Sequence, residues 1–305
     1  MAGLECRKMP ALLVICFTIS GATSLVLQVV WVRRLIGVFG ASSLAIATVL
    51  ATFMAGLALG SWIGGRWADR LENPDTLKGA HRLFRDPFFY YGLAELVVGI
   101  SALAILPMID YYRGANAWLW QQLGDTPWLL ASTRFALTAT VLLIPTTAMG
   151  ATLPLLTRKV TRAKADLGRL GSRLGLLYAA NTLGALCGAA AAGFWFIPLF
   201  GVSLSNQIAA GAAVLIAIVV SLLCLRPKAE SKAAEDVDAP RTEPDPQAEP
   251  LEYSDKKRRA VLWLYALSGA VAMVLEVLWS RTLAIVNGSS VYSFTIVLCT
   301  FLVGI

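Results

Sequence analysis

A single histidine, His81, stands in the whole chain. A metal centre or a charge-relay triad built on imidazole therefore lacks its ligands. The five cysteines (Cys6, Cys16, Cys187, Cys224 and Cys299) include no C-x-x-C pair, so neither a disulfide framework nor a cysteine metal site is indicated. Charged residues make up only 15% of the chain, too few to cover the surface of a water-soluble domain. No glycine-rich strand–turn–helix unit with a following acidic residue can be found, and no segment reads as a strand that could carry one. No cofactor, no metal and no catalytic residue is expected.

What the chain has in abundance is apolar length. It is 57% hydrophobic, in runs of about 20 residues, each of which spans roughly 30 Å as helix, the thickness of a bilayer's hydrocarbon core. In lipid every backbone polar group must be satisfied within its own segment, so such runs are helical. Eight are predicted, at about residues 10–32, 42–64, 88–108, 128–156, 173–199, 204–225, 260–280 and 289–305. Arg7 and Lys8 ahead of an apolar stretch, with Ser20-Gly21-Ala22 behind it, could be read as a signal peptide. The apolar pattern runs on to Val32, which favours a retained first helix. Most of the 26 lysines and arginines fall in the N-terminus, the 65–86 and 157–172 loops and the 226–259 segment. By the positive-inside rule these lie in the cytoplasm, and odd-numbered helices run outward. The net charge of +7 reflects that bias and fits a basic face against anionic lipid; it does not call for a nucleic acid.

One segment occurs twice. Residues 20–57 and 268–305 align without a gap and are identical at close to half their positions, among them Ser20/Ser268, Gly21/Gly269, Trp31/Trp279, Arg33/Arg281, Gly40/Gly288, Phe53/Phe301 and Gly56/Gly304. A period this long suits two related bundles of several helices. After Gly56 the first copy continues into LALGSWIGGRWADR, whereas Ile305 follows Gly304; the expectation is the front part of a longer protein. The division is a six-helix bundle over 1–225, a linker over 226–259, and two helices of a second repeat over 260–305. The linker is rich in Pro, Glu, Asp and Ala and too poor in apolar residues to bury a core.

Parallel six-helix repeats are the plan of major facilitator transporters. Gly65-Arg66-Trp67-Ala68-Asp69-Arg70 resembles the facilitator motif G-x-x-x-D-R, although Leu71-Glu72-Asn73 stands where G-R-R would follow; a locally paired Asp69 is the plainer reading. Pro145-Thr-Thr-Ala-Met-Gly-Ala-Thr-Leu-Pro154 resembles a P-T-x-x-M-G-A-T-L-P signature, and Leu177-Tyr178-Ala-Ala-Asn181-Thr182-Leu-Gly184-Ala185 resembles L-Y-A-x-N-T-x-G-A. With both copies of S-G-x-x-x-L/M-x-L-[EQ]-V-x-W-x-R, these stretches resemble the fused facilitator/spermidine-synthase family of bacteria. The resemblance implies an all-α, major-facilitator-like membrane bundle in the bacterial inner membrane, with its N-terminus in the cytoplasm. It also implies, further along a full-length relative, a soluble domain like the polyamine aminopropyltransferases. Nothing in these residues carries that enzyme. The two functions it implies are transport of a small cationic solute, or anchoring of the absent synthase-like domain.

Candidate path residues follow from what is costly in lipid. A charge inside a spanning helix costs at least about 2.5–3.5 kcal/mol on insertion scales, which singles out Glu95 in the third helix and Glu276 near the outer end of the seventh, where the first copy has Gln28. Each is read either as a proton- or cation-coupled carboxylate or as part of a structural pair, with Arg134 against Glu276 or Asp110 at the outer interface. Pro145 and Pro154 should break the fourth helix, leaving Thr146, Thr147 and Thr152 to offer oxygens to a solute or to repair the kink. Asn181 and Tyr178 of the fifth helix lie at a similar depth. Gly56, Gly60 and Gly64, and Gly184, Gly188 and Ala192, form small-residue stripes for close helix approach. Trp31 and Trp279 are expected in the interfacial aromatic belt.

Overall fold

The computed structural model describes residues 2–39, 43–71, 84, 86–162, 167–225, 255–288 and 290–304. Its elements are α1 (Ala2–Phe39), α2 (Ser43–Arg70), α3 (Pro87–Leu123), α4 (Pro127–Arg162), α5 (Leu167–Ala191), a π-helical turn (Ala192–Phe196), α6 (Ile197–Leu225), α7 (Asp255–Asn287) and α8 (Ser290–Gly304). No strand occurs among the described residues. Six continuous helical stretches among them are long and apolar enough to cross a bilayer.

The longest of these, Gly171–Leu225, has 55 residues and would measure about 80 Å as one helix, more than twice the hydrocarbon core. It is two spans. Gly201 has φ 75° and ψ 174°, a conformation open to glycine and strained for any residue with a Cβ, and it breaks the helix between the two predicted runs 173–199 and 204–225. Elsewhere the helices outrun their apolar cores. α3 continues past residue 108 to Leu123, and α7 begins at Asp255, so the basic run Lys256–Arg259 is helical and continuous with the span. The rest of the expected linker, 226–254, lies outside the described residues, as does His81. Asp86 starts α3 as N-cap, its carboxylate accepting from the Phe88 amide at 3.0 Å with Pro87 at the first helical position.

Side-chain contacts set the direction of every helix in the bundle. Ser20 meets Glu95, Arg34 meets Asp110 and Asn116 meets the Val38 carbonyl, so α3 runs parallel to α1. Thr18 and Ala22 lie against Gly184 and Gly188, which makes α5 parallel to α1 as well. Lys159 pairs with Asp86 and Tyr112 donates to the Leu137 carbonyl, which turns α4 antiparallel to α3; α2 is parallel to α4 through Gly56–Thr146 and Gly64–Ala151. Asn206 donates to the Ala102 carbonyl while Gly92 meets Val220, reversing α6. Three helices run one way and three the other. Below, the near end of the bundle is the one at which α1 starts, and the far end is the one at which it finishes.

In two seams a glycine meets the backbone of the facing helix directly. A Cβ added at Gly60 or Gly150 would overlap the backbone of the facing helix, and one at Gly184 or Gly188 would overlap the backbone of α1. Such close approach gains backbone van der Waals contact where lipid supplies no hydrophobic drive. Around the seams lies a core of Leu27, Val30, Trp31, Leu50, Phe53, Ile105, Leu142 and Phe294. The last of these comes from α8, which packs on α7 and α5.

α7 is inside-out. Its only fully buried described side chains are Glu276 and Ser280, while Trp263, Leu264, Tyr265 and Ile285 face outward. It ends at Asn287 and α1 ends at Phe39, at the same offset that separates Ser268 from Ser20.

Candidate functional site

Glu95 sits two turns into α3 and is 2% exposed. Ser20 of α1 donates its hydroxyl to Glu95 Oε1. One turn earlier on the same face of α3, Tyr91 is fully buried; its hydroxyl adjoins Glu95 and Ser20 but makes no hydrogen bond of good geometry. Cys16, one turn before Ser20 on α1, is also buried and close to the carboxylate. The Tyr91 ring is packed between two others, Phe88 stacked on it at 5.9 Å and Phe17 edge-on to it at 6.5 Å. A carboxylate held by hydroxyls within an apolar shell can exchange a proton and accept hydrogen bonds. Ser20 and Tyr91 were not legible as its partners, although the i, i+4 spacing of Tyr91 and Glu95 on a helix places them on one face.

The expected break in α4 is absent. α4 runs as one helix through Pro145 and Pro154, and the threonines bond within it. Thr146 donates to the Leu142 carbonyl at 2.6 Å and Thr152 to the Met149 carbonyl at 2.7 Å. The carbonyl that Pro154 leaves without its amide is that of Gly150, and Ser61 of α2 donates to it at 3.1 Å. Thr146 also abuts Gly56, and the Thr147 carbonyl abuts Gly60. Thr146, Thr147, Gly150 and Ala151 are committed to the α2 seam.

Asn181 belongs to the other side. Its carbonyl and Oδ1 lie against Gly21 of α1, the residue after Ser20, so Glu95 and Asn181 share a level but stand on opposite flanks of α1. Tyr178 is 48% exposed and points out of the bundle. The candidates thus form separate groups: Glu95 in the α1–α3 seam, Pro145 to Thr152 in the α2–α4 seam, and Asn181 in the α1–α5 seam.

Glu276 is 5% exposed, and neither its Oε1 nor the Ser280 hydroxyl one turn on has a hydrogen-bond partner. The same holds for Nε2 of Gln28, its counterpart in the first copy. The expected outer pairing of Arg134 with Glu276 or Asp110 is replaced by other contacts. Arg134 donates to Asn116 Oδ1 at 2.9 Å and faces the Trp120 ring at 5.8 Å, while Asp110 takes Arg34 at 2.5 Å and Arg113 at 3.9 Å. At the near end Asp69 is paired across helices with Arg158 at 2.6 Å. Trp31 is not a belt residue: it is fully buried, and its indole N–H donates to Asn206 Oδ1 at 3.1 Å. Trp279 remains half-exposed.

Helix length, apolar faces and inward polar groups together define an all-helical multi-pass membrane protein. No family model, no curated protein and no solved structure matches the chain.

Proposed function

We propose that the chain is the membrane portion of a protein of the fused facilitator/spermidine-synthase type, and that its bundle moves a small cationic solute across the bacterial inner membrane. The observation that carries this reading is the alternating six-helix register of α1–α6, followed by α7 and α8, which repeat the sequence of α1 and α2 and the end of α1. Six-plus-six repeats are the architecture of facilitators. The basic residues at the near end favour a cytoplasmic position for it. Glu95 and Asn181, at one level on either flank of α1, are the polar groups that a rocking of α3 or α5 against α1 would uncover.

The test is uptake of a labelled polyamine by proteoliposomes holding the purified chain. Asn181→Ala and Glu95→Gln should each abolish uptake with expression unchanged. Full uptake by both variants would sink the assignment.

A second reading, a membrane anchor for a synthase-like enzyme domain, is favoured by one observation. The threonines of α4 serve their own helix, and the glycine seams are closed. If wild-type proteoliposomes take up no polyamine while a longer product of the same gene transfers aminopropyl groups, the anchor reading holds.

A further inference from the structure

Glu95 is 2% exposed, the hydroxyls beside it come from Ser20 and Tyr91, and the Tyr91 ring is itself packed against Phe17 and Phe88. A hard metal cation takes about six to eight oxygen ligands, and the two hydroxyls and one carboxyl gathered here fall well short. Among the described residues no group of three or more His, Cys, Asp or Glu gathers to hold a metal. A di- or polyamine would need an opening wide enough for its methylene chain, and a carboxylate only 2% exposed offers none. The one cation that needs no cavity is the proton.

Among the described residues, the surrounding helices supply no permanent counter-charge at this level. α6 carries no acidic or basic residue and presents only Cys224 toward the near end. α4 has no charged residue between Arg134 and Arg158; Arg158 pairs with Asp69, and Lys159 pairs with Asp86 at 2.5 Å. α1 contributes Cys16, and α3 contributes Tyr91 and, at its start, Asp86. An ionised carboxylate that deep, held only by hydroxyls, is costly, and both partners can serve either protonation state. With the carboxylate ionised, Ser20 donates to it. With the carboxyl protonated, its O–H can donate to the Tyr91 oxygen, which otherwise lacks a partner.

We propose that Ser20, Tyr91 and Glu95 form a proton-binding site buried in the α1–α3 seam, the Glu95 carboxylate taking one proton from hydronium in the water at the near end and giving it back to water there as hydronium. Its use as the coupling ion rests on the transport reading above; the site itself does not.

Infrared difference spectra of the full chain in lipid nanodiscs, recorded while pH is stepped from alkaline to acid, test this directly. The protonated-carboxyl C=O band that grows in should contain a component that persists in Glu276→Gln, is missing from Glu95→Gln and shifts in frequency in Ser20→Ala, which removes the hydroxyl touching the group. Thermal unfolding of each variant reports whether it is folded, and the Ser20→Ala shift reads the site with Glu95 in place. A wild-type spectrum without such a band overturns the proposal, as does a band untouched by Glu95→Gln and Ser20→Ala. So does loss of the band on adding sodium or potassium at constant pH, which would mean a metal cation instead. If the band behaves as expected while proteoliposomes take up no polyamine, the proton site stands and the transport reading falls.

Discussion

Trp31 and Trp279 occupy matching places in the repeated segment, yet they live in different surroundings. In α1 the indole is buried and its N–H meets Asn206; in α7 it is half-exposed against Phe301 at 5.7 Å. A tryptophan near a helix end reads as a belt residue from sequence, because nothing local reveals that α6 will bring an asparagine to it. Trp31→Phe keeps most of the ring and leaves Asn206 Oδ1 without its donor. It should lower stability by about 1–3 kcal/mol, the cost of an orphaned buried polar group, read as a fall in the thermal unfolding midpoint in detergent. Trp279→Phe should be close to neutral in the same assay. Glu95 was legible as a costly residue in a span; its partners were not, since Ser20 lies 75 positions away.

At the scale of elements, the glycines separate into two kinds that sequence presents alike. Gly60 faces the α4 backbone directly, whereas a Cβ at Gly65 would meet nothing within 4 Å. Gly60→Val should therefore push α2 off α4 and destabilise the bundle by at least about 1–3 kcal/mol, as overpacking does. Gly65→Ala should stay within about 1 kcal/mol of wild type. Equal losses in a denaturation series of the two variants would show that the seam does not carry the contact. Gly201→Ala forces a side chain into left-handed backbone and should cost roughly 1–2 kcal/mol. The prolines of α4 teach the converse. Pro145 and Pro154 signal a break in sequence, but a helix in lipid has no water to take its freed carbonyls, and the one Pro154 frees at Gly150 accepts from Ser61 of the neighbouring α2. The visible irregularities lie instead at the π-helical turn and Gly201.

At the scale of the molecule, the alternation of α1–α6 makes a prediction about sidedness. Gln122, exposed at the far end, and Lys256, exposed at the start of α7, should lie on opposite faces of the membrane. In a cysteine-free background, a membrane-impermeant maleimide should label Gln122→Cys in intact cells and Lys256→Cys only after permeabilisation. The reverse pattern would invert the orientation argued from basic residues. That the chain is helical, that it crosses a membrane several times, and where its apolar spans lie along the chain were determined by the sequence alone, because apolar run length against bilayer thickness and backbone hydrogen bonding without water leave a long apolar segment little choice; how far each helix runs beyond its span was not. Which face of each helix meets which neighbour was decided only by the tertiary structure. In spans apolar all round, periodicity carries no inward signal. The pairing of Ser20 with Glu95, the burial of Trp31 and the closing of α4 on α2 depend on close contacts between helices distant along the chain.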